Sequence, residues 1–425
     1  HKEDALNNKI KWIDVVVCNL YPFSDVINRE DRNQALAMEN VDIGGPTMIR
    51  AAAKNVGWVS VVVDSSDYIS FAKELESGSI AFKTRKKLAT KAFGHTSQYD
   101  SIIYNYLSKD PFPDNLTITY KKHSLLRYGE NPHQTAAAYK ITDDRSNSVL
   151  NAKIHQGKPL SYNNIMDADA ALSCLREFDK TACVIVKHAS PCGVAEGERL
   201  IDVYKYAFNA DSLSAFGGII ALNKKCTEDV AKEISNVFVE IVLAPSFDMG
   251  ALSVFAKKKN LRILEVGRVN RRKNKQEVRN LNGGLLLQDV DTSELNTEEL
   301  ETVTECSPSA LDIQNMLFGW KVLKHVKSNA ILLVKDSVTV GVGGGQVSRV
   351  DAVDVAINKS GDNISESILC SDAFFPFRDS IDKISKTGIK AIIQPGGSIK
   401  DGEVISACNK YGIAMVFTKK RCFKH

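Results

Sequence analysis

The 425-residue chain has no uninterrupted apolar run long enough to span a bilayer, and no basic stretch followed by an apolar core opens it. A membrane span and a secretory leader are therefore not expected, and no membrane partner is. Cysteine pairs are also lacking. The nine cysteines are odd in number, scattered from Cys18 to Cys422, and never spaced C-x-x-C, which argues against a disulfide framework and a Cys-rich zinc site. A soluble protein of a reducing compartment, the cytosol, is expected. An excess of one charge is missing too: 55 Lys+Arg minus 51 Asp+Glu leaves +4, spread along the chain. That excludes a dedicated nucleic-acid surface, and the short basic clusters Lys83 to Lys87, Lys257 to Lys259 and Arg271 to Lys275 read as solvated faces, or as a rim that gathers anions. No short-period repeat or low-complexity tract is visible. What is present is ordinary globular material, 44% hydrophobic and 25% charged, enough for two to four domains.

Strand and helix signals alternate along the chain. An apolar strand at Ile13 to Cys18 precedes a helical pattern around Asp31 to Met38, a Gly-Gly loop, an Ala-rich helix Thr47 to Lys54 and the strand Trp58 to Val63. Helices Tyr68 to Glu76 and Thr84 to Leu107 follow. The alternation predicts a parallel sheet covered by helices. The polar stretch around Ser108 to Asn115, with Pro111 and Pro113, is the best linker, so the first domain is expected at 1–115. Beyond it the alternation resumes with the helix Asp167 to Phe178 and strands at Cys183 to Lys187, Gly218 to Leu222 and Ile241 to Leu243. A third region opens with the helix Pro308 to Val326, whose Ile313, Met316, Leu317 and Trp320 share a core-facing side. Regions 116–306 and 307–425 each carry an apolar strand leading to a Gly-containing turn and a helix (Val184 to Gly193, Ile331 to Gly345) and a later Phe-rich turn. Internal duplication and chance similarity both explain this.

The run Val186-Lys187-His188-Ala189-Ser190-Pro191-Cys192-Gly193 ends a buried-looking strand in two basic side chains. Neighbours on a strand point to opposite faces, so Lys187 and His188 share a site only if the backbone turns between them, which Pro191 and Gly193 favour. Histidine suits a general base near neutrality and lysine a fixed charge for a developing oxyanion. The plain alternative is a strand end capped by solvated bases. Leu126-Arg127-Tyr128-Gly129-Glu130-Asn131-Pro132-His133-Gln134 offers a guanidinium and a hydroxyl to a phosphate, or is merely a turn pinned by Asn131-Pro132. Gly341-Val342-Gly343-Gly344-Gly345-Gln346 sits between a strand and a helix. Gln346 stands where a dinucleotide fingerprint needs its third glycine and no P-loop Lys follows, so a tight turn is the leading reading, with Gln346 and Arg349 beside a site. Ser371-Asp372-Ala373-Phe374-Phe375-Pro376-Phe377-Arg378-Asp379 offers stacking faces and the Asp379 carboxylate to a flat heterocycle, or forms an aromatic core turn. A zinc deaminase is rejected, because His188 is followed by Ala189-Ser190 and Pro191-Cys192 lacks the second cysteine.

In their observed order these runs, together with Ser-Ala-Phe-Gly-Gly at 214–218, resemble the PurH family of bifunctional purine-biosynthesis enzymes, AICAR transformylase/IMP cyclohydrolase, across essentially the whole chain. The resemblance implies an α/β protein: an N-terminally incomplete methylglyoxal-synthase-like domain, then two cytidine-deaminase-like subdomains without zinc. It implies formyl transfer from 10-formyltetrahydrofolate to AICAR and closure of formyl-AICAR to IMP, with no tightly bound cofactor or metal. His188 would be the base and Lys187 would stabilise the transition state. AICAR would meet Arg127, Tyr128, Gly217, Glu240, Asn329, Phe374 and Arg421, with Asn329 counted among the catalytic residues. The folate would lie near Val350, Ser398 and Ile399, with Arg349 and Asp379 as weaker candidates. For ring closure the resemblance points to Lys54 as acid-base residue, supported by Tyr21, Asp42 and Ile43, with Cys18 and Asn19 binding IMP. A homodimer is expected, with the transformylase site between copies.

The family's opening segment, with its phosphate-binding loops and a further catalytic lysine, does not precede His1. The expectation is therefore an intact transformylase and no ring closure by the chain as given, unless that segment belongs to the whole protein. The competing readings are a transformylase alone and a silent AICAR- or IMP-binding regulator, the latter disfavoured by the retained Lys187, His188 and Asn329.

Overall fold

The structure is a computed structural model that describes residues 1–142, 144, 146–270 and 276–425. The chain forms two compact units, His1–Lys121 with Lys140–Asp144, and Lys122–Tyr139 with Arg145–His425. Among the described residues no helix is long and apolar enough to cross a membrane.

In the first unit, strands β1 (Val15–Val17) and β2 (Ser60–Val62) pair in parallel, Val15 opposite Ser60 and Val17 opposite Val62. The helices Gly44–Lys54 and Phe82–Leu107 cover the pair. Small side chains allow the close approach: Ala52, Ala53, Ala89 and Ala92 are buried with Ile49, Val61 and Val63. Within the basic run at 83–87, Arg85 is no solvated residue. Its guanidinium donates to the carbonyls of Val56, Gly57 and Ile80 and ties the long helix to the turn before β2. The cluster at 257–259 is exposed, and that at 271–275 lies outside the described residues.

The strands β3 (Tyr120–Leu126) and β4 (Ala136–Ile141) flank the loop 127–135. A large sheet is built from β5 (Lys153–Gln156), β6 (Thr181–Lys187), β7 (Ser190–Gly197), β8 (Ile219–Leu222), β9 (Ile241–Ala244) and β10 (Arg262–Glu265). The ribbon β11 (Gln276–Leu281) with β12 (Gly284–Asp289) stands apart. The sheet continues with β13 (Glu301–Thr302), β14 (Ile331–Lys335), β15 (Val338–Gly343), β16 (Ile368–Ser371), β17 (Ala391–Gln394) and β18 (Ala414–Phe417). The order is β13-β18-β17-β16-β14-β15-β7-β6-β8-β9-β10-β5.

That order is a duplication. β7-β6-β8-β9-β10 and β15-β14-β16-β17-β18 run in the same succession, with the same antiparallel hairpin, the same antiparallel neighbour and the same parallel outer strands. The halves join where β7 meets β15. Local detail repeats as well. The helices Tyr162–Leu175 and Ala310–Leu323 each precede their hairpin, and each opens with a serine capping box, at Ser161 and Ser309. Each hairpin turns through two non-glycine residues at positive φ, His188-Ala189 and Asp336-Ser337, the twist that suits a two-residue hairpin.

The parallel pairing expected in the first unit is thus observed, while the large sheet of the second unit is mixed. The turn near Lys187 is made by His188-Ala189, whereas Pro191 and Gly193 lie in β7. The glycine run is likewise not a loop throughout: Gly341 and Gly343 belong to β15. Both misreadings have one cause. A Cβ on Gly193 would sit 1.9 Å from the Ala207 carbonyl oxygen, and one on Gly341 2.2 Å from that of Ala356, so these glycines let a helix lie directly on the second strand of each hairpin. Apolar cores fill both faces of the sheet, and Met316 and Trp320 are buried as expected while Ile313 is partly so.

Candidate functional site

Lys187 ends β6 and extends its Nζ to the carbonyl oxygens of Phe216 (2.9 Å) and Gly217 (3.1 Å). Two residues expected to share a site, Lys187 and Gly217, thus meet. Gly217 has φ +69°, which favours glycine, and a Cβ there would stand 3.0 Å from Lys187 Nζ, close enough to displace the ammonium. Its N–H donates to the Phe238 carbonyl at 2.7 Å, and the Phe216 and Phe238 rings lie 5.4 Å apart. Glu240 follows, its N–H donating to Gly218 O and its Oε2 held by the buried Arg262 Nη1 at 2.6 Å. His188, exposed at the tip of the turn, leaves the strand direction because its φ is +51°. The backbone does turn between the two bases.

Asp167, in the helix below this turn, was not singled out from the sequence. Its Oδ1 accepts the Ala189 N–H at 2.7 Å. Burial pushes its pKa up from the ordinary carboxylate range, opposed by the Ala189 amide and by the neighbouring His188 and Lys187. The signal that would have found it is the repeat: Asp167 lies six residues after the capping Ser161, as Asn315 lies six after Ser309.

The Arg127–Gln134 loop closes on itself, Gly129 N–H donating to Gln134 O, and Asn131 N–H to Gln134 Oε1. Asn163 Nδ2 donates to Glu130 O and fixes the loop to the helix that carries Asp167. Arg127 stays exposed, its guanidinium 5.7 Å from the Tyr128 ring centre.

In the second half of the sheet, a cavity of about 550 Å³ brings together Asn329, Arg349, Phe374 and Arg421. Gly396 and Gly397 line it, and Phe423 stacks under the Arg421 guanidinium at 5.0 Å. Asn329 is fully oriented: Nδ2 donates to Gln346 O (2.9 Å) and Val347 O (3.2 Å), while Oδ1 accepts from Arg349 Nη2 (2.9 Å). Arg349 also pairs with the wholly buried Asp372 and donates to Ala330 O. Its guanidinium is therefore engaged by the protein, and it acts on the cavity as a strut behind Asn329. Val350 follows it in the first turn of the helix Arg349–Ser360. Ser398 and the fully exposed Ile399 continue the chain from Gly397. Asp379 turns onto the Ser380 N–H of its own helix and does not line the cavity.

Lys187 and Asn329 lie at the same edge of the sheet, at the end of β6 and the start of β14. Two strands, β7 and β15, stand between them in the sheet, and these two pair only at Ala195 and Val338, toward the opposite end.

In the first unit, Asp42 gathers the segment after β1. Oδ2 accepts Tyr21 N–H (3.3 Å), Oδ1 accepts Gly45 N–H (2.7 Å), and the Asp42 N–H donates to the Tyr99 hydroxyl (2.8 Å). Cys18, whose thiol pKa is raised by burial and by Asp42, and Asn19 precede Tyr21, and Ile43 is the residue just before the helix Gly44–Lys54. Lys54 stands at the other end of that helix, about 15 Å along its axis from this group. The structure does not bring it to Asp42.

The AICARFT/IMPCHase bienzyme family matches residues 52–359. Among curated proteins, the bifunctional purine biosynthesis protein PurH of Caldicellulosiruptor saccharolyticus is 49% identical, over all of this chain and 84% of its own length. The proteins of that name from Acetivibrio thermocellus and Listeria monocytogenes are 48% and 47% identical over the same shares. The chain belongs to the AICARFT/IMPCHase bienzyme family.

Proposed function

We infer that this chain transfers the formyl group of 10-formyltetrahydrofolate to AICAR, releasing tetrahydrofolate, and closes the resulting formyl-AICAR to IMP with loss of water. The observation that carries the first step is the Lys187 ammonium, held by two carbonyls beside the exposed imidazole of His188. His188 takes a proton from the 5-amino nitrogen of AICAR as that nitrogen bonds to the formyl carbon. The carbonyl oxygen becomes an oxyanion, and the remaining N–H of Lys187 stabilises it. Collapse expels the folate nitrogen, which takes up the proton. An amine conjugated to a carboxamide is a weak nucleophile, so positioning contributes much of the rate.

In this reading Arg127, Tyr128 and Arg421 hold the phosphate of AICAR, while Gly217, Glu240, Asn329 and Phe374 hold its ribose and base. Asn329 has both N–H donors engaged and offers the free lone pair of its oxygen. The folate occupies the side of Val350, Ser398 and Ile399, without a tightly bound cofactor. Asp42, Tyr21, Ile43, Cys18 and Asn19 serve ring closure, and Lys54 acts there only if IMP or a loop reaches the far end of its helix. The domains are 1–115, a methylglyoxal-synthase-like cyclohydrolase, then 116–306 and 307–425, and the duplicated strand order supports reading the last two as a pair of cytidine-deaminase-like subdomains. The two strands that stand between Lys187 and Asn329 support a homodimer in which a second copy completes the site. The cytosol is the compartment that fits.

Incubation with AICAR and 10-formyltetrahydrofolate, followed by tetrahydrofolate release, tests the reading. Lys187→Ala is expected to lose about 10²-fold or more in turnover, and an unchanged rate would overturn the assignment.

A further inference from the structure

We propose that Asp167 is a positioning residue for formyl transfer, one whose negative charge, and not merely its hydrogen-bond acceptor, is needed to hold His188 in its working state. The inference rests on the reading of His188 as the base.

His188 and Ala189 both adopt positive φ, a conformation unfavourable for L-residues that neighbouring groups must hold in place. The holding group is the carboxylate of Asp167, which accepts the Ala189 N–H at 2.7 Å. The second half contains the same device. Asp336 and Ser337 turn at positive φ, and the Ser337 N–H donates at 2.7 Å to Oδ1 of Asn315, six residues after its capping serine as Asp167 is after Ser161. A neutral amide therefore suffices to build this turn. Asn315 and Ser337 are buried, so the neutral version works even away from water.

The half that carries Lys187 and His188 has an aspartate instead. Keeping a carboxylate half-buried is unfavourable unless something uses its charge. In the proposed reaction His188 becomes an imidazolium at the moment the amine attacks, and a fixed anion under the turn favours that state. Asp167 does so without touching substrate, acting through the backbone it holds and through its charge.

The test compares Asp167→Asn with the parent and with His188→Ala. Asparagine is isosteric and reproduces the arrangement of the other half, so the chain is expected to fold with an unchanged thermal midpoint. Its kcat for formyl transfer should fall about ten-fold or more, with KM for AICAR and for 10-formyltetrahydrofolate changed by no more than about three-fold. Asn315→Asp, the reciprocal change, gives no gain in turnover. Parental kcat in Asp167→Asn would overturn the proposal. So would an unfolded or strongly destabilised Asp167→Asn chain, or parallel changes in both KM values, because these make Asp167 a structural residue only. If His188→Ala turns over like the parent, the assignment of the base itself has failed, an outcome separate from the Asp167 result.

Discussion

The Lys187 ammonium is placed by the carbonyls of Phe216 and Gly217, and that placement depends on a glycine. Gly217→Ala would put a methyl 3.0 Å from Nζ on a backbone at φ +69°. We expect a stability loss of about 1–2 kcal/mol and a clear fall in formyl-transfer kcat, measured by thermal unfolding beside steady-state kinetics. Parental kcat in that variant would show that the two carbonyls do not set the position of Lys187. Glu240 offers a second test. Arg262 holds its carboxylate at 2.6 Å, so Arg262→Met should raise KM for AICAR more than it lowers kcat, whereas a change in kcat alone would contradict a binding role. Here the sequence was informative where rare residue types stood together, as in Lys187-His188 or the aromatic run of Phe374, although Asp379 of that run stays off the cavity. It was silent on Asp167, because an acidic residue on a helix is ordinary until a turn from another element is seen to rest on it.

Elements were legible where periodicity had enough length. The helix Tyr68–Glu76 falls where its pattern predicts, and the long helix to Leu107 begins two residues earlier than expected. Hairpins were missed because each joins two buried apolar strands through only two residues, His188-Ala189 or Asp336-Ser337, neither an Asn-Gly type signal. Glycines in the second strand then read as turn residues, although tertiary packing is what they serve. Gly341→Ala accordingly has no room at 2.2 Å from the Ala356 carbonyl oxygen. It should destabilise by about 1–3 kcal/mol, read as a lower denaturant midpoint. An unchanged midpoint would mean that the helix Arg349–Ser360 can move away from β15 without penalty.

Across the whole second unit, the two halves are tied by a buried charge group. Glu177, just after the helix of the first half, accepts from Lys324 Nζ (2.7 Å) and His325 Nε2 (3.2 Å) at the end of the corresponding helix of the second. Burial lowers the His325 pKa below its ordinary 6.5, and its Nδ1 is buried with no hydrogen-bond partner among the described residues, so the neutral ring is the state that fits. Burial opposes ionisation of Glu177, but the hydrogen bonds and charges of His325 and Lys324 outweigh it and lower its pKa from 4.5. Both groups have depressed pKa values in the folded chain, so the unfolded chain binds more protons. Stability is full above pH 6.5 and falls as the pH drops through that value, and further below 4.5. Urea midpoints at pH 7.5 and 5.5 should show the decline, and His325→Gln should flatten it. A midpoint independent of pH over that range would contradict the neutral buried histidine.

The large sheet itself was foreseeable as α/β alternation, and its duplication was visible in the sequence only as paired glycine and phenylalanine turns. The mixed strand directions were not foreseeable, since they depend on which strands are joined by hairpins. We infer that formyl transfer belongs to the turn of the first half, while ring closure belongs to the first unit. The most direct measurement gives the parent and His188→Ala two substrates in turn: AICAR with 10-formyltetrahydrofolate, then formyl-AICAR alone. The substitution is expected to abolish tetrahydrofolate release and to leave IMP formation from formyl-AICAR at the parental rate. Tetrahydrofolate release at the parental rate in His188→Ala would contradict this assignment.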